Sequence, residues 1–196
     1  MKKVLFILLI TSLALCCKNN TKSTDSRDAY REMESVSSAV EVAPSIFQLI
    51  EQQSSFNNLF KLSKQAQLVP EIQNLENVTF FAPTNAAINK LSDEAYADLR
   101  LPQNLEKLQA ILTYHIVEGT MDSEFLISTI KANNNQPYRL QTLQGGYISL
   151  TLENGALVIT DENADRSVIS KKDIKASNGI MHGIDTILRP VNMKQY

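Results

Sequence analysis

Apolar positions divide the chain into three unequal parts. Residues 4–15 form a nearly unbroken apolar run. Residues 18–44 are mostly small polar and charged, with Tyr30, Met33, Val36 and Val40 spaced to suit a short helix within 29–42. From Ser45 onward the apolar residues recur first at helical and then at strand spacing. Ser45 is a good N-cap for a helix burying Ile46, Phe47, Leu49 and Ile50, and Phe56, Leu59, Phe60 and Ala66 mark a second helix. Residues 78–82 are a continuous strand-favouring run, stopped by Pro83, which has no N–H to give to a ladder. Thr84 then caps a short helix through Leu91, and Ser92 before Asp93 and Glu94 opens another turn. Pro102 starts a longer helix carrying Leu105, Leu108, Ile111, Leu112, His115 and Ile116 on one face, and Gly119 is expected to end it.

The period then shortens to two. Ile148, Leu150 and Leu152 alternate, Asn154-Gly155 is a two-residue hairpin turn, and Leu157 and Ile159 resume the alternation. Further strands are predicted over 138–143, 166–175 and 180–188. Helices gather in the N-terminal half and strands in the C-terminal half. That segregation predicts an α+β domain, with helices packed against or around the mouth of an antiparallel or mixed sheet.

The apolar run follows Met1-Lys2-Lys3 and is a secretory leader by pattern. As a helix it would rise about 18 Å, short of the ~30 Å hydrocarbon core of a bilayer. The only two cysteines, Cys16 and Cys17, stand where it ends, so the folded part has no disulfide and no thiolate ligand. The arrangement resembles the lipobox of bacterial lipoproteins, which implies cleavage just before a lipid-modified cysteine. Cys17, preceded by the small Cys16, is the expected lipidation site; Cys16, preceded by the bulky Leu15, is the alternative. Acyl chains on one residue, at ~0.8 kcal/mol per buried methylene, anchor a protein firmly. Lys18 after the modified residue, with no Asp there, points by the same resemblance to an outer membrane and leaves the leaflet open. The expected organisation is a signal peptide over 1–16, a tether over 17–44, one domain over 45–190 and a tail over 191–196. Such a tether has a typical end-to-end distance of roughly 26–31 Å.

Composition removes several function classes. In 196 residues, 43% are hydrophobic and 20% charged, and 19 basic against 21 acidic residues leave a net charge of −2, which disfavours nucleic acid as a partner. With two His and no Trp there is little material for metal cages or acid–base pairs, and neither a cofactor nor a metal site is expected. No nucleophile elbow, His-Glu-x-x-His helix, phosphate loop or dinucleotide fingerprint occurs. Residues 161–165 look like the opening of a calcium loop, but Arg166 replaces its Gly and Lys172 its bidentate Glu, so this segment reads as a solvated turn.

Three segments taken together resemble the fasciclin domain: Val78-Thr79-Phe80-Phe81-Ala82-Pro83-Thr84-Asn85-Ala86-Ala87, then Ile111-Leu112-Thr113-Tyr114-His115-Ile116, then Asn178-Gly179-Ile180-Met181-His182-Gly183-Ile184-Asp185. The resemblance covers essentially all of 45–190. It implies a wedge-shaped β-sandwich with helices packed around it, and use in adhesion or extracellular contact without enzymatic activity. On this reading Thr84, Asn85, Tyr114, His115, Asn178, Gly179 and His182 are motif residues. The residues themselves read as structural: both histidines are expected in the core, with His115 bonding the Thr84-Asn85 turn. Asp173-Ile174 matches a pair through which animal fasciclin domains are linked to integrins. Its neighbours Lys171, Lys172 and Lys175 depart from the acidic and proline flanks of that pair, and an ordinary strand with Ile174 inward competes with a small contact patch. The expected function is a lipid-anchored, non-enzymatic adhesion or interaction module of a bacterial envelope, holding an extracellular protein or polysaccharide or a second copy of itself. The rival is an envelope glycan- or small-molecule-binding protein, with or without hydrolytic activity, using a cleft between helices and sheet.

Overall fold

The computed structural model describes residues 43–191. The leader, Cys16, Cys17, the segment 29–42 and residues 192–196 lie outside the described residues.

Helix α1 (Ile46–Gln52) opens with a capping box: Ser45 Oγ accepts the Gln48 N–H and Gln48 Oε1 accepts the Ser45 N–H. A 3-10 turn leads into α2 (Asn57–Gln65), and α3 (Val69–Asn74) follows with Pro70 in its first turn. After β1 (Val78–Pro83) come α4 (Asn85–Ile88), α5 (Asp93–Leu99) and α6 (Leu105–Tyr114). The predicted helix through 119 stops at Tyr114, because Ile116–Glu118 is strand β2, pairing antiparallel with β1. Ile116 and Val117 are both buried, on opposite faces of that strand, which one face of a helix could not achieve. Helix α7 (Ser123–Ala132), capped by Asp122, and helix α3 are elements that the hydrophobic pattern did not announce.

Strands β3 (Tyr138–Gln141), β4 (Tyr147–Glu153), β5 (Ala156–Thr160), β6 (Arg166–Ala176) and β7 (Gly179–Ile184) complete a seven-stranded sheet ordered β2-β1-β7-β6-β5-β4-β3. Every pair is antiparallel except β1 with β7, so the sheet is mixed. One strand order runs throughout: β6 pairs with β5 through Arg166–Val168 and with β7 from Ile169 onward, so the two halves of the expected sandwich share a strand. The sheet also curls back on itself. Val117 of β2 bridges Thr142 just past β3, and the Leu143 N–H donates to Ile116 O at 2.8 Å, nearly closing a barrel.

Alternation along β1 feeds two cores. Val78, Phe80 and Ala82 pack with helices α1–α6, whereas Phe81 joins Ile148, Leu150, Leu157, Ile159, Ile169 and Ile184 inside the curl, with Leu126 and Ile130 of α7. The chain's entry into the domain is clipped to the β6–β7 turn. Ser177 N–H donates to Pro44 O at 2.9 Å, and Ile46 N–H to Asn178 Oδ1 at 2.9 Å.

Candidate functional site

The motif residues gather where helices meet β1 and β7. Pro83 ends β1, and Thr84, extended in backbone, caps α4: its Oγ accepts the Ala87 N–H at 3.3 Å and donates to Ile184 O at 3.0 Å. Asn85 works sideways. Its Oδ1 accepts the Asn58 N–H at 3.0 Å and its Nδ2 donates to Ser54 O at 2.7 Å, tying α4 to the start of α2.

Tyr114 and His115 end α6 and serve one core each. Tyr114 points into the curled sheet, where its hydroxyl donates to Tyr147 O at 2.5 Å and accepts the Glu162 N–H at 3.2 Å; burial pushes the phenol upward. His115 is fully buried on the helical side, among Leu59, Leu112 and Ile187. Its Nε2 accepts the Leu188 N–H at 2.9 Å, which leaves the proton on Nδ1 to donate to Ile111 O at 2.7 Å. The expected bond to the Thr84-Asn85 turn is therefore absent. Thr84 Oγ is engaged by Ile184 and Ala87, the Asn85 amide by Asn58 and Ser54, and the imidazole, lying one residue past the helix, reaches the segment after β7 instead.

Asn178 and Gly179 make the β6–β7 turn. Besides holding Ile46, Asn178 donates through Nδ2 to Ile72 O at 3.1 Å and Leu75 O at 3.0 Å, so one amide joins α1, α3 and the sheet. Gly179 lies so close to β1 that a methyl group there would stand 2.1 Å from Val78 O. His182 stacks on Phe81 with ring centroids 5.8 Å apart, donates through Nε2 to Met121 O at 2.8 Å and accepts the Asp173 N–H on Nδ1 at 3.2 Å.

Asp173 occupies a bulge in β6, with φ +59. Its carboxylate accepts from Ser123 N at 2.7 Å and Ser123 Oγ at 2.5 Å, fastening the first residue of α7. Desolvation raises its carboxyl, but those bonds and the nearby His182 and Lys172 leave it below the usual range. Ile174 is half-buried against the helical core. The Asp173-Ile174 pair is thus built into the fold, with Asp173 side-chain exposure at 36%.

Two aspartates, Asp161 and Asp185, are anchors that were not expected as such. The 161–165 segment is a turn with Glu162 and Ala164 exposed, but its first residue, Asp161, is buried: the carboxylate accepts Asn163 N–H, Asp165 N–H and Arg189 N–H, each at 2.9 Å. The segment wraps around its own first side chain, as an Asx turn does, and Arg189 reaches in from beyond β7. Burial raises the Asp161 carboxyl more than these bonds lower it. Asp185 accepts the Val168 N–H at 2.7 Å and the Lys90 ammonium at 3.2 Å. The Asp-x-Asn-x-Asp spacing was a usable signal for the first; nothing local marked the second.

These geometries make the fold sensitive to acid. Burial lowers His115 from 6.5 to about 4, opposed by its Ile111 bond, and burial lowers His182 as well. The unfolded chain then binds more protons than the folded one, so stability falls as pH drops from 6.5 toward 4, His115 contributing roughly 3 kcal/mol over that window. Asp173 and Asp185, whose carboxyls lie below their ordinary values, extend the loss to lower pH, where the raised Asp161 opposes it. Urea midpoints measured between pH 6.5 and 4 are expected to decline; a flat profile there would contradict the neutral, buried imidazoles.

The arrangement binds backbone to backbone. Among the described residues no group of three or more His, Cys, Asp and Glu side chains stands ready for a metal ion. The space between helices and sheet, lined by Leu59, Leu108, Leu112, His115 and Ile187, holds about 10 Å³, too little for a ligand. Larger hollows are open grooves, one of about 430 Å³ beside the β2–β3 seam and one of about 210 Å³ near Leu101.

The fold and its polar junction define a class: an α+β domain in which a curled mixed sheet is pinned to a helical layer by buried hydrogen-bonded residues. A family model for the fasciclin domain matches residues 54–190, and the chain belongs to that family. It is 30% identical over 152 residues to Protein sll1483 of Synechocystis, covering 78% of this chain and 77% of that one. It is 28% identical over 153 residues to transforming growth factor-beta-induced protein ig-h3 of Sus scrofa, covering 78% of this chain but 20% of that longer protein. Among solved structures, a FAS1 domain pair from the insect cell adhesion molecule fasciclin I superposes with a TM-score of 0.65 at 19% identity, over 75% of this chain and 51% of that chain.

Proposed function

We propose that this protein is a lipid-anchored interaction module of a bacterial envelope, with residues 1–16 as leader, Cys17 as anchor and 17–44 as tether, displaying one fasciclin domain to an extracellular protein or polysaccharide. The observation that supports a contact role over a catalytic one is the engagement of both histidines in internal backbone bonds, which leaves neither imidazole facing a ligand. Recognition then falls to loops and outer strand faces. The FAS1 domain pair of similar fold comes from an insect cell adhesion molecule, in line with this reading. Clustered anchored copies reinforce weak contacts through high effective concentration.

Detergent phase partition of the full-length protein tests the anchor. Cys17→Ala is expected to move the protein to the aqueous phase, and release by Cys16→Ala alone would shift the processed site by one residue. Retention in detergent by both variants would refute the anchor. Deletion of the protein is expected to weaken cell–cell or cell–matrix attachment; unchanged attachment together with turnover of a glycan panel would favour the hydrolytic rival.

A further inference from the structure

The chain contains two Asn-Gly pairs, and the fold treats them in opposite ways. Asn178-Gly179 is locked. The three hydrogen bonds of the Asn178 amide fix its carbonyl carbon, and Gly179 is pressed against Val78. Asn154-Gly155 is the tip of the β4–β5 hairpin, closed by the pair Glu153 and Ala156, with φ values of +48 and +83. Both tip residues are exposed, and neither the Asn154 side chain nor the Gly155 N–H has a hydrogen-bond partner. A methyl group at Gly155 would meet no atom within 4 Å, so nothing packs against the tip on that side.

We propose that Asn154 is a self-modifying site, converted to aspartate and isoaspartate by its neighbour Gly155 with water as the co-reactant. The Gly155 nitrogen attacks Asn154 Cγ and forms a C–N bond, the Cγ–Nδ2 bond breaks, and ammonia departs carrying the proton released by that nitrogen. Water then opens the five-membered imide. Opening at the side-chain carbonyl gives aspartate, and opening at the main-chain carbonyl gives isoaspartate, in which the chain runs through the former side chain. Ring closure needs the Asn154 backbone to rotate out of the turn. A hairpin tip, with few packed neighbours, opens at far lower free energy than the junction around Asn178.

The product changes its surroundings. Its new carboxylate follows Glu153, which pairs with Arg166, directly in the chain. The net charge goes from −2 to −3, one acidic group being added. Isoaspartate also inserts a methylene into a two-residue turn that has no slack. Conversion therefore loosens the tip and marks the age of the molecule on an exposed surface.

The test follows both asparagines in the full-length protein held at mildly alkaline pH, by peptide mapping with fragmentation that separates aspartate from isoaspartate. In the folded protein Asn154 is expected to convert at least about tenfold faster than Asn178, the two rates converging in denaturant. Asn154→Gln, which closes an imide ring far less readily, is expected to abolish the acidic variant under native conditions. Equal rates at the two positions in the folded protein would overturn the proposal. So would an intact Asn154 amide in the folded protein under conditions where the denatured chain converts.

Discussion

Gly179→Ala is expected to destabilise the domain by about 3 kcal/mol, near the upper end of what overpacking costs. The added methyl would meet Val78 O at 2.1 Å and Val78 C and N at 3.0 Å, all backbone atoms that cannot swing aside. Relief requires moving β1 away from β7 at Val78↔Gly179, the first register position of the one parallel pair, and every later pair through Pro83↔Ile184 depends on that approach. The shift also pulls on Asn178 next door and on the three backbone groups it holds. Chemical denaturation is expected to show a lower midpoint with an unchanged slope. Gly155→Ala is the control: it adds a methyl in open space at a positive φ and is expected to cost only about 1 kcal/mol. Equal losses for the two variants would show that backbone conformation, and not the contact with Val78, sets the requirement at Gly179.

His115→Ala is expected to cost about 3–5 kcal/mol, combining a cavity with two buried backbone groups left without partners. The orphans are the Leu188 N–H and the Ile111 carbonyl. The loss has an address as well as a size. Amide exchange at Leu188 is expected to accelerate beyond the global change, while Ala87, protected by Thr84, follows global unfolding. The opposite pattern, with Ala87 freed and Leu188 protected, would restore the expected contact between His115 and the Thr84-Asn85 turn.

What could be read in advance was local. Ser45, Thr84 and Ser92 cap helices as their side chains and positions indicate, and Asn154-Gly155 turns the hairpin between alternating strands. Buried histidines were likewise legible from their apolar neighbours. What escaped depends on partners distant in sequence. Residues 116–118 continue an amphipathic helical pattern and become a strand because Thr79 and Phe80 lie alongside. His115 sits 73 residues from Leu188, and Asp185 reaches back 95 to Lys90. Helix α7 had an N-cap in Asp122 and a spacing of four between Leu126 and Ile130, but its short apolar stripe made sense only once an open sheet interior needed covering.

The clip at the domain's entrance has a mechanical consequence. A pull transmitted along the residues before Pro44 arrives first at a single corner, where Ser177 holds Pro44 and Asn178 holds Ile46. Behind those two bonds stands the buried face of α1, with Ile46, Phe47 and Ile50 in the helical core. Load entering there is thus shared from the outset between the first helix and the hairpin corner that closes the parallel strand pair.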